Sequence, residues 1–175
     1  MSSVMDRVNT LSTVQFVELF GPIYEHSPWI AQRAHAHAPF ADMDAMLAVM
    51  RHELDQAADR ERMALIRAHP ELAQRMGVDP TLTSASATEQ ASAGLDRLTP
   101  DEFTTFRALN DAYAAKFGIP FIICVRRSDK DGILNGMRTR MENTPEAEQQ
   151  AALREINKIA ALRLADVLAR LEQEP

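Results

Sequence analysis

Along most of this chain the apolar side chains recur at three- and four-residue steps, the spacing that lines one face of an α-helix. From Met43 they fall at Met46, Leu47, Met50 and Leu54. "VQFVELF" follows Ser12 and Gln15, spaced as a capping box, and Gly21–Pro22 stops it. Ser27 before Pro28 reads as an N-cap and first-turn proline opening "PWIAQRAHAHA". Arg60 to Ala68 reads as a further helix, "MGVDPTLTSAS" as loop, and Ser86 with Glu89 as a second S-x-x-E box. Thr99, Pro100 and Glu102 open a long helix with Phe103, Phe106, Asn110, Tyr113 and Phe117 on one side, and Gly118 ends it. Ser128 with Asp131 opens another, through Ile133, Leu134, Met137 and Met141; Thr144–Pro145 opens the last, which runs to Leu171.

One stretch breaks the rhythm. In "GIPFIICVRR", residues 119–125 carry no charge and several β-branched side chains. Alone this reads as a buried strand. With no second strand to pair with, an extended segment or short helix crossing the core is expected instead. The pattern predicts one all-α domain over residues 1–175, a globule of about eight helices.

Within "LIRAHPELAQRMG" a His stands directly before a Pro. Pro70 lacks an amide hydrogen and pushes His69 out of the α region, so the helix carrying Leu65 and Ile66 should end near Ala68. Pro70 is then expected to open a new turn, holding His69 between two helical pieces. An imidazole held there is a candidate general acid or base, or simply a helix break. Glu89 reads as a group that orients this His, as a cap, or as both; "SATEQ" at a helix start also suits an anion. Arg163 falls inside the apolar stripe of Ile156, Ile159, Ala160 and Val167. A guanidinium there needs a cavity or a partner, such as a salt bridge around Asp166.

The totals change the picture only by exclusion. The net charge of −6 argues against a nucleic-acid or anionic-membrane binder. A single Cys124 rules out an internal disulfide and a multi-thiolate metal centre; in its apolar run it reads as an inert buried thiol. His35 and His37 point to different sides of a helix, and with His26 and His52 they form no ligand pattern, so they read as solvated. No metal is expected. Neither a leader nor a membrane span is evident, so a cytoplasmic protein is expected.

Together "YEHSPWIAQRA", "AHPELA", "SATEQASAGLDRL", "LNDAYAAKFGIPFIICVR" and "EINKIAALRLADVL" resemble, in order and spacing, the 2-oxo-4-hydroxy-4-carboxy-5-ureidoimidazoline (OHCU) decarboxylase family, from about Leu19 to Leu168. The resemblance implies an all-α, cofactor-free, usually homodimeric enzyme of urate breakdown that yields (S)-allantoin. It implies catalytic roles for His69 as proton donor, Glu89 and Arg163. Pro70, the stretch Ser86, Ala87, Thr88, Glu89 and Gln90, and the stretch Phe121, Ile122, Ile123, Cys124 and Val125 would line the substrate with Arg163. The rival readings are a helical ligand-binding protein on the same scaffold and a decarboxylase of a related purine-derived ring.

Overall fold

Side-chain caps decide where helices begin in the computed structural model, which describes residues 3–174. Ser3 caps α1 (Val4–Asn9), the Ser12–Gln15 box opens α2 (Thr13–Phe20), Asp42 caps α4 (Met43–Asp55) and the Thr99–Glu102 box opens α7 (Pro100–Phe117). Each cap contributes roughly 1 kcal/mol by satisfying an amide that the helix leaves unpaired. The other helices are α3 (Trp29–His35), α5 (Asp59–Ala68), α6 (Ser84–Ser92), α8 (Lys130–Arg140) and α9 (Pro145–Gln173). Among the described residues there are nine α-helices, two single 3-10 turns and no strand, so the all-α expectation holds.

Four local expectations are corrected. Ser27 does not cap α3: its hydroxyl donates to the Glu25 carbonyl at 2.9 Å, Pro28 takes the cap position, and the helix stops at His35. Asp129 rather than Ser128 caps α8, its carboxylate accepting the Gly132 amide at 2.7 Å. His35 is half-buried, not solvated; its Nε2 donates to the Leu11 carbonyl at 3.0 Å and its Nδ1 meets Thr13 Oγ1 at 3.0 Å. Pro70 opens no second helix, and residues 70–83 form turns and irregular chain. Ala73 there has φ +51°, a left-handed conformation that no right-handed helix can contain.

The chain divides into two compact units: one made of residues up to Leu65 with those from Asn157 on, the other Ile66–Ile156. In the first, α2, the 3-10 turn Gly21–Ile23, α3 and α4 pack in succession. Its fully buried side chains include Phe16, Phe20, Ile30, Met46, Met50 and Leu54. The Phe16 ring lies 4.7 Å from that of Phe20 and 5.9 Å from that of Phe40. In the second unit α7 packs on α8, and α6 packs on the 3-10 turn Val125–Arg127. Its core holds Phe106, Tyr113, Phe121, Ile133 and Met137. Gly118 ends α7 at φ +66°, a position that favours glycine, and residues 119–124 follow as the expected extended segment. No helix among the described residues is long and apolar enough to cross a membrane.

The second unit contains a fully buried carboxylate, Glu148. It accepts from Arg140 Nε at 3.1 Å and Nη2 at 2.8 Å, from Asn143 Nδ2 at 2.7 Å, and from the Tyr113 hydroxyl. Burial pushes this carboxyl up, but the hydrogen bonds from Arg140, Tyr113 and Asn143 outweigh it and hold Glu148 below its ordinary 4.5. A carboxyl lowered on folding adds stability that is present above its unfolded value and lost as the pH falls through the folded one. Glu148→Gln breaks a buried pair, so at neutral pH it is expected to cost about 3–5 kcal/mol. That deficit against the parent should shrink steadily below pH 4.5. Thermal melts of both proteins between about pH 3 and pH 8 check this, and a deficit that stays constant into acid refutes it.

Candidate active site

α5 ends as the His–Pro step dictates. Ala68 is its last residue, the His69 amide still donates to the Ile66 carbonyl at 3.2 Å, and Pro70 denies the next turn. His69 is buried, 7% exposed. The chain that follows it is held by side chains of α6 and α7, not by a second helix. Gln90 Nε2 donates to the Glu71 carbonyl at 3.3 Å and its Oε1 accepts the Ala73 amide at 3.2 Å. Asn110 Nδ2 donates to the Leu72 carbonyl at 2.7 Å. These bonds fix a backbone that at Ala73 sits in a conformation costing on the order of 1 kcal/mol.

α6 places Ser86, Glu89 and Gln90 on its buried face, three and four residues apart, with Ala87 half-buried and Thr88 exposed. The Thr88 hydroxyl turns back to the Ser84 carbonyl at 2.9 Å. The S-x-x-E reading needs correction here. Thr83 is the N-cap, and its Oγ1 accepts the Ser86 amide at 3.2 Å. Ser86 and Glu89 therefore lie inside the helix, where they form neither a capping box nor an anion cradle at its start. Glu89 is a buried carboxylate on that helix.

Because α6 packs on Val125–Arg127, the stretch Ser86–Gln90 adjoins the end of Phe121–Val125. Burial pushes the Cys124 thiol up, with the Glu155 and Glu89 charges adding to it and Arg127 opposing. This keeps the thiol protonated and matches its reading as inert. The Cys124 amide donates to Glu155 Oε2 at 2.9 Å. The second unit thus gathers the His69–Pro70 loop, α6 and the extended segment. Among the described residues no three His, Cys, Asp or Glu side chains cluster as a metal site.

Arg163 belongs to the first unit and is buried in α9, 6% exposed. Its Nη1 donates to Glu25 Oε2 at 2.7 Å, with the Pro22 and Ile23 carbonyls at 3.3 and 3.5 Å. Glu25 is 2% exposed. A tight turn presents it: His26 has φ +47°, and the Ser27 amide donates to the Tyr24 carbonyl at 3.1 Å. This carboxylate lies 138 residues away in the chain. Glu25, Arg140, Glu148 and Glu155 carried no signal in the pattern. Glu148 lies in "EAEQQ", which reads as a solvated first turn, and Glu25 reads as an ordinary turn residue.

Residues 9–165 match the OHCU decarboxylase family. The chain belongs to that family. It is 40% identical over 162 residues to the 2-oxo-4-hydroxy-4-carboxy-5-ureidoimidazoline decarboxylase of Haloferax volcanii, covering 93% of this chain and 94% of that protein. It is 39% identical over 165 residues to a uric acid degradation bifunctional protein of Bacillus subtilis, covering 94% of this chain and 32% of that protein. A crystal structure of (S)-allantoin synthase superposes with a TM-score of 0.75 at 28% identity, covering 94% of this chain and 54% of that one.

The Arg163–Glu25 pair makes a stability prediction separate from any role in an OHCU decarboxylase site. Arg163→Met removes the guanidinium from the buried Glu25 carboxylate and is expected to cost about 3–5 kcal/mol. Combining it with Glu25→Leu should recover most of that loss, since an apolar pair replaces an ionic one. Urea unfolding of the two variants is the check. A double variant no more stable than Arg163→Met alone would contradict it.

Proposed function

We propose that this chain is a carboxy-lyase that converts 2-oxo-4-hydroxy-4-carboxy-5-ureidoimidazoline to (S)-allantoin in urate catabolism, without a cofactor. The carrying observation is membership of the OHCU decarboxylase family over residues 9–165, with a relative of that name at 40% identity along nearly both full lengths. The same match supports residues 1–175 as one functional domain. A cytoplasmic homodimer completes the reading.

The chemistry follows from the substrate's own structure. The carbon that bears the carboxylate also bears a hydroxyl and adjoins a C=N bond. As CO₂ leaves, the electron pair of the broken bond moves into that C=N, so the ring is its own electron sink. The chain has to hold the anion, let the ring nitrogen that receives the pair take up a proton, remove the hydroxyl proton and deliver a proton to the ureido-bearing carbon from one face, a net uptake of one proton. His69 is the residue for the proton steps. Its burial and the clamped loop behind Pro70 favour a single imidazole orientation, as a chiral product requires. Glu89, buried on α6, sets the tautomer and position of that ring. Arg163 orients the anionic substrate through its planar fork. Pro70, Ser86–Gln90 and the main chain of Phe121–Val125 line the ring.

The direct test generates the labile substrate from urate in situ and follows optically active allantoin by circular dichroism. No acceleration over the spontaneous, racemic conversion would end the reading. His69→Asn is expected to melt normally and lose on the order of 10²–10⁴-fold in turnover, the share of a general acid–base group. Arg163→Lys keeps the charge and loses the fork, so kcat/KM should fall roughly 10- to 150-fold. Activity should also survive exhaustive chelation; an inhibition that added metal reverses would refute the metal-free mechanism.

A further inference from the structure

A main-chain substrate contact cannot be tuned by its own side chain. Its place is set by whatever grips the backbone from behind. The extended segment has no ladder partner, so its buried amides and carbonyls have to be satisfied from outside. One side chain does this on the carbonyl side. Arg140 Nη1 donates to the Ile122 carbonyl at 2.6 Å, while its guanidinium lies over the Phe121 ring, 4.4 Å from the centroid. Its other two nitrogens donate to Glu148, which Tyr113 and Asn143 hold in turn. The Tyr113 ring meets Phe121 edge-on, 5.3 Å between centroids. Gly136, on the same helix as Arg140, faces the segment: a Cβ there would make ordinary contact with Ile123 Cδ1 at 3.4 Å and Phe121 Cζ at 3.6 Å. On the amide side Glu155 takes the Cys124 N–H.

We infer that Arg140, anchored by Glu148, is a positioning residue for the reaction: it sets the main chain of Phe121–Val125 against the substrate. This rests on the proposed function, which gives that segment its contact. A purely structural ion pair needs only Arg140 and Glu148. The third nitrogen on Ile122 and the stacked Phe121 ring are what tie the pair to the substrate-facing backbone. A displacement of about 1 Å in such a contact costs on the order of 10²-fold in rate.

Arg140→Lys keeps the charge for Glu148 and loses both the second arm to Ile122 and the flat face on Phe121. It is expected to raise KM about tenfold, the loss of one charge-assisted bond to the segment. The optical purity of the allantoin should fall as well, because the ring no longer presents one face to the proton donor. The second variant is Arg140→Ala, assayed at low temperature with added methylguanidinium. Rescue of KM and of optical purity by this small cation supports the inference. A folded Arg140→Lys with parental KM and optical purity, and a lowered melting temperature alone, overturns it. So does a folded Arg140→Ala that methylguanidinium leaves unimproved. Failure of the parent protein itself to make optically active allantoin instead sinks the underlying function.

Discussion

Leaving a buried amide or carbonyl without a partner costs roughly 1–3 kcal/mol. Helices meet that demand internally; an extended run without a neighbouring strand cannot. Residues 119–124 are such a run, placed in an all-helical unit with Ile119, Phe121, Ile122 and Cys124 buried. Their backbone is met by charged side chains instead: Arg140 on the Ile122 carbonyl and Glu155 on the Cys124 amide. This explains why α8 and the first turns of α9 carry a guanidinium and carboxylates on inward positions. Glu148, fully buried, supplies the counter-charge for Arg140, whose side chain is only partly buried.

The same constraint acts on the other irregular stretch. After Pro70 the chain makes no helix, and the Glu71, Leu72 and Ala73 backbone groups are met by the amide side chains of Gln90 and Asn110. Neutral amides serve here because one Gln offers a donor and an acceptor together. Both extended and looped backbones are thus fixed by side chains from regular helices, α6 and α7 in one case and α8 and α9 in the other. Helices are the rigid parts, and the two irregular segments of the second unit borrow their precision.

Much of this was legible in the pattern. Periodicity located α2, α4, α7 and the α9 stripe, in which Ile156, Ile159, Ala160 and Val167 are all buried beside Arg163. Caps were less legible, because a cap is chosen by which residue adopts an extended φ and ψ. Thr83 stands before Ser86 and Asp129 beside Ser128, and each earned the position that the later or neighbouring Ser was expected to hold. α1 escaped notice because its six residues bury only Val8. His69 and Arg163 stood out because a helix break and an apolar stripe surround them, and Glu89 through an S-x-x-E spacing that lies inside the helix rather than at its cap. Their supports did not, since Glu25 and Glu148 are acidic residues in polar stretches whose partners are set only by the fold.

The buried Arg163 and the partly buried Arg140 also differ in what their ion pairs serve. Burying an ion pair is weak evidence for stability, so its retention asks for another reason. For Arg140 that reason is geometric, as the carbonyl of Ile122 shows. For Arg163 it is electrostatic on the proposed reading. The substrate's carboxylate leaves as neutral CO₂, and an unopposed cation gripping that carboxylate would stabilise the ground state more than the transition state. Glu25, 2.7 Å from Arg163 Nη1, offsets part of the positive charge before any substrate arrives. Under the proposed function the guanidinium would keep its planar, directional donors while its pull on the departing group is tempered. Orientation would then be preserved without holding back the bond that has to break.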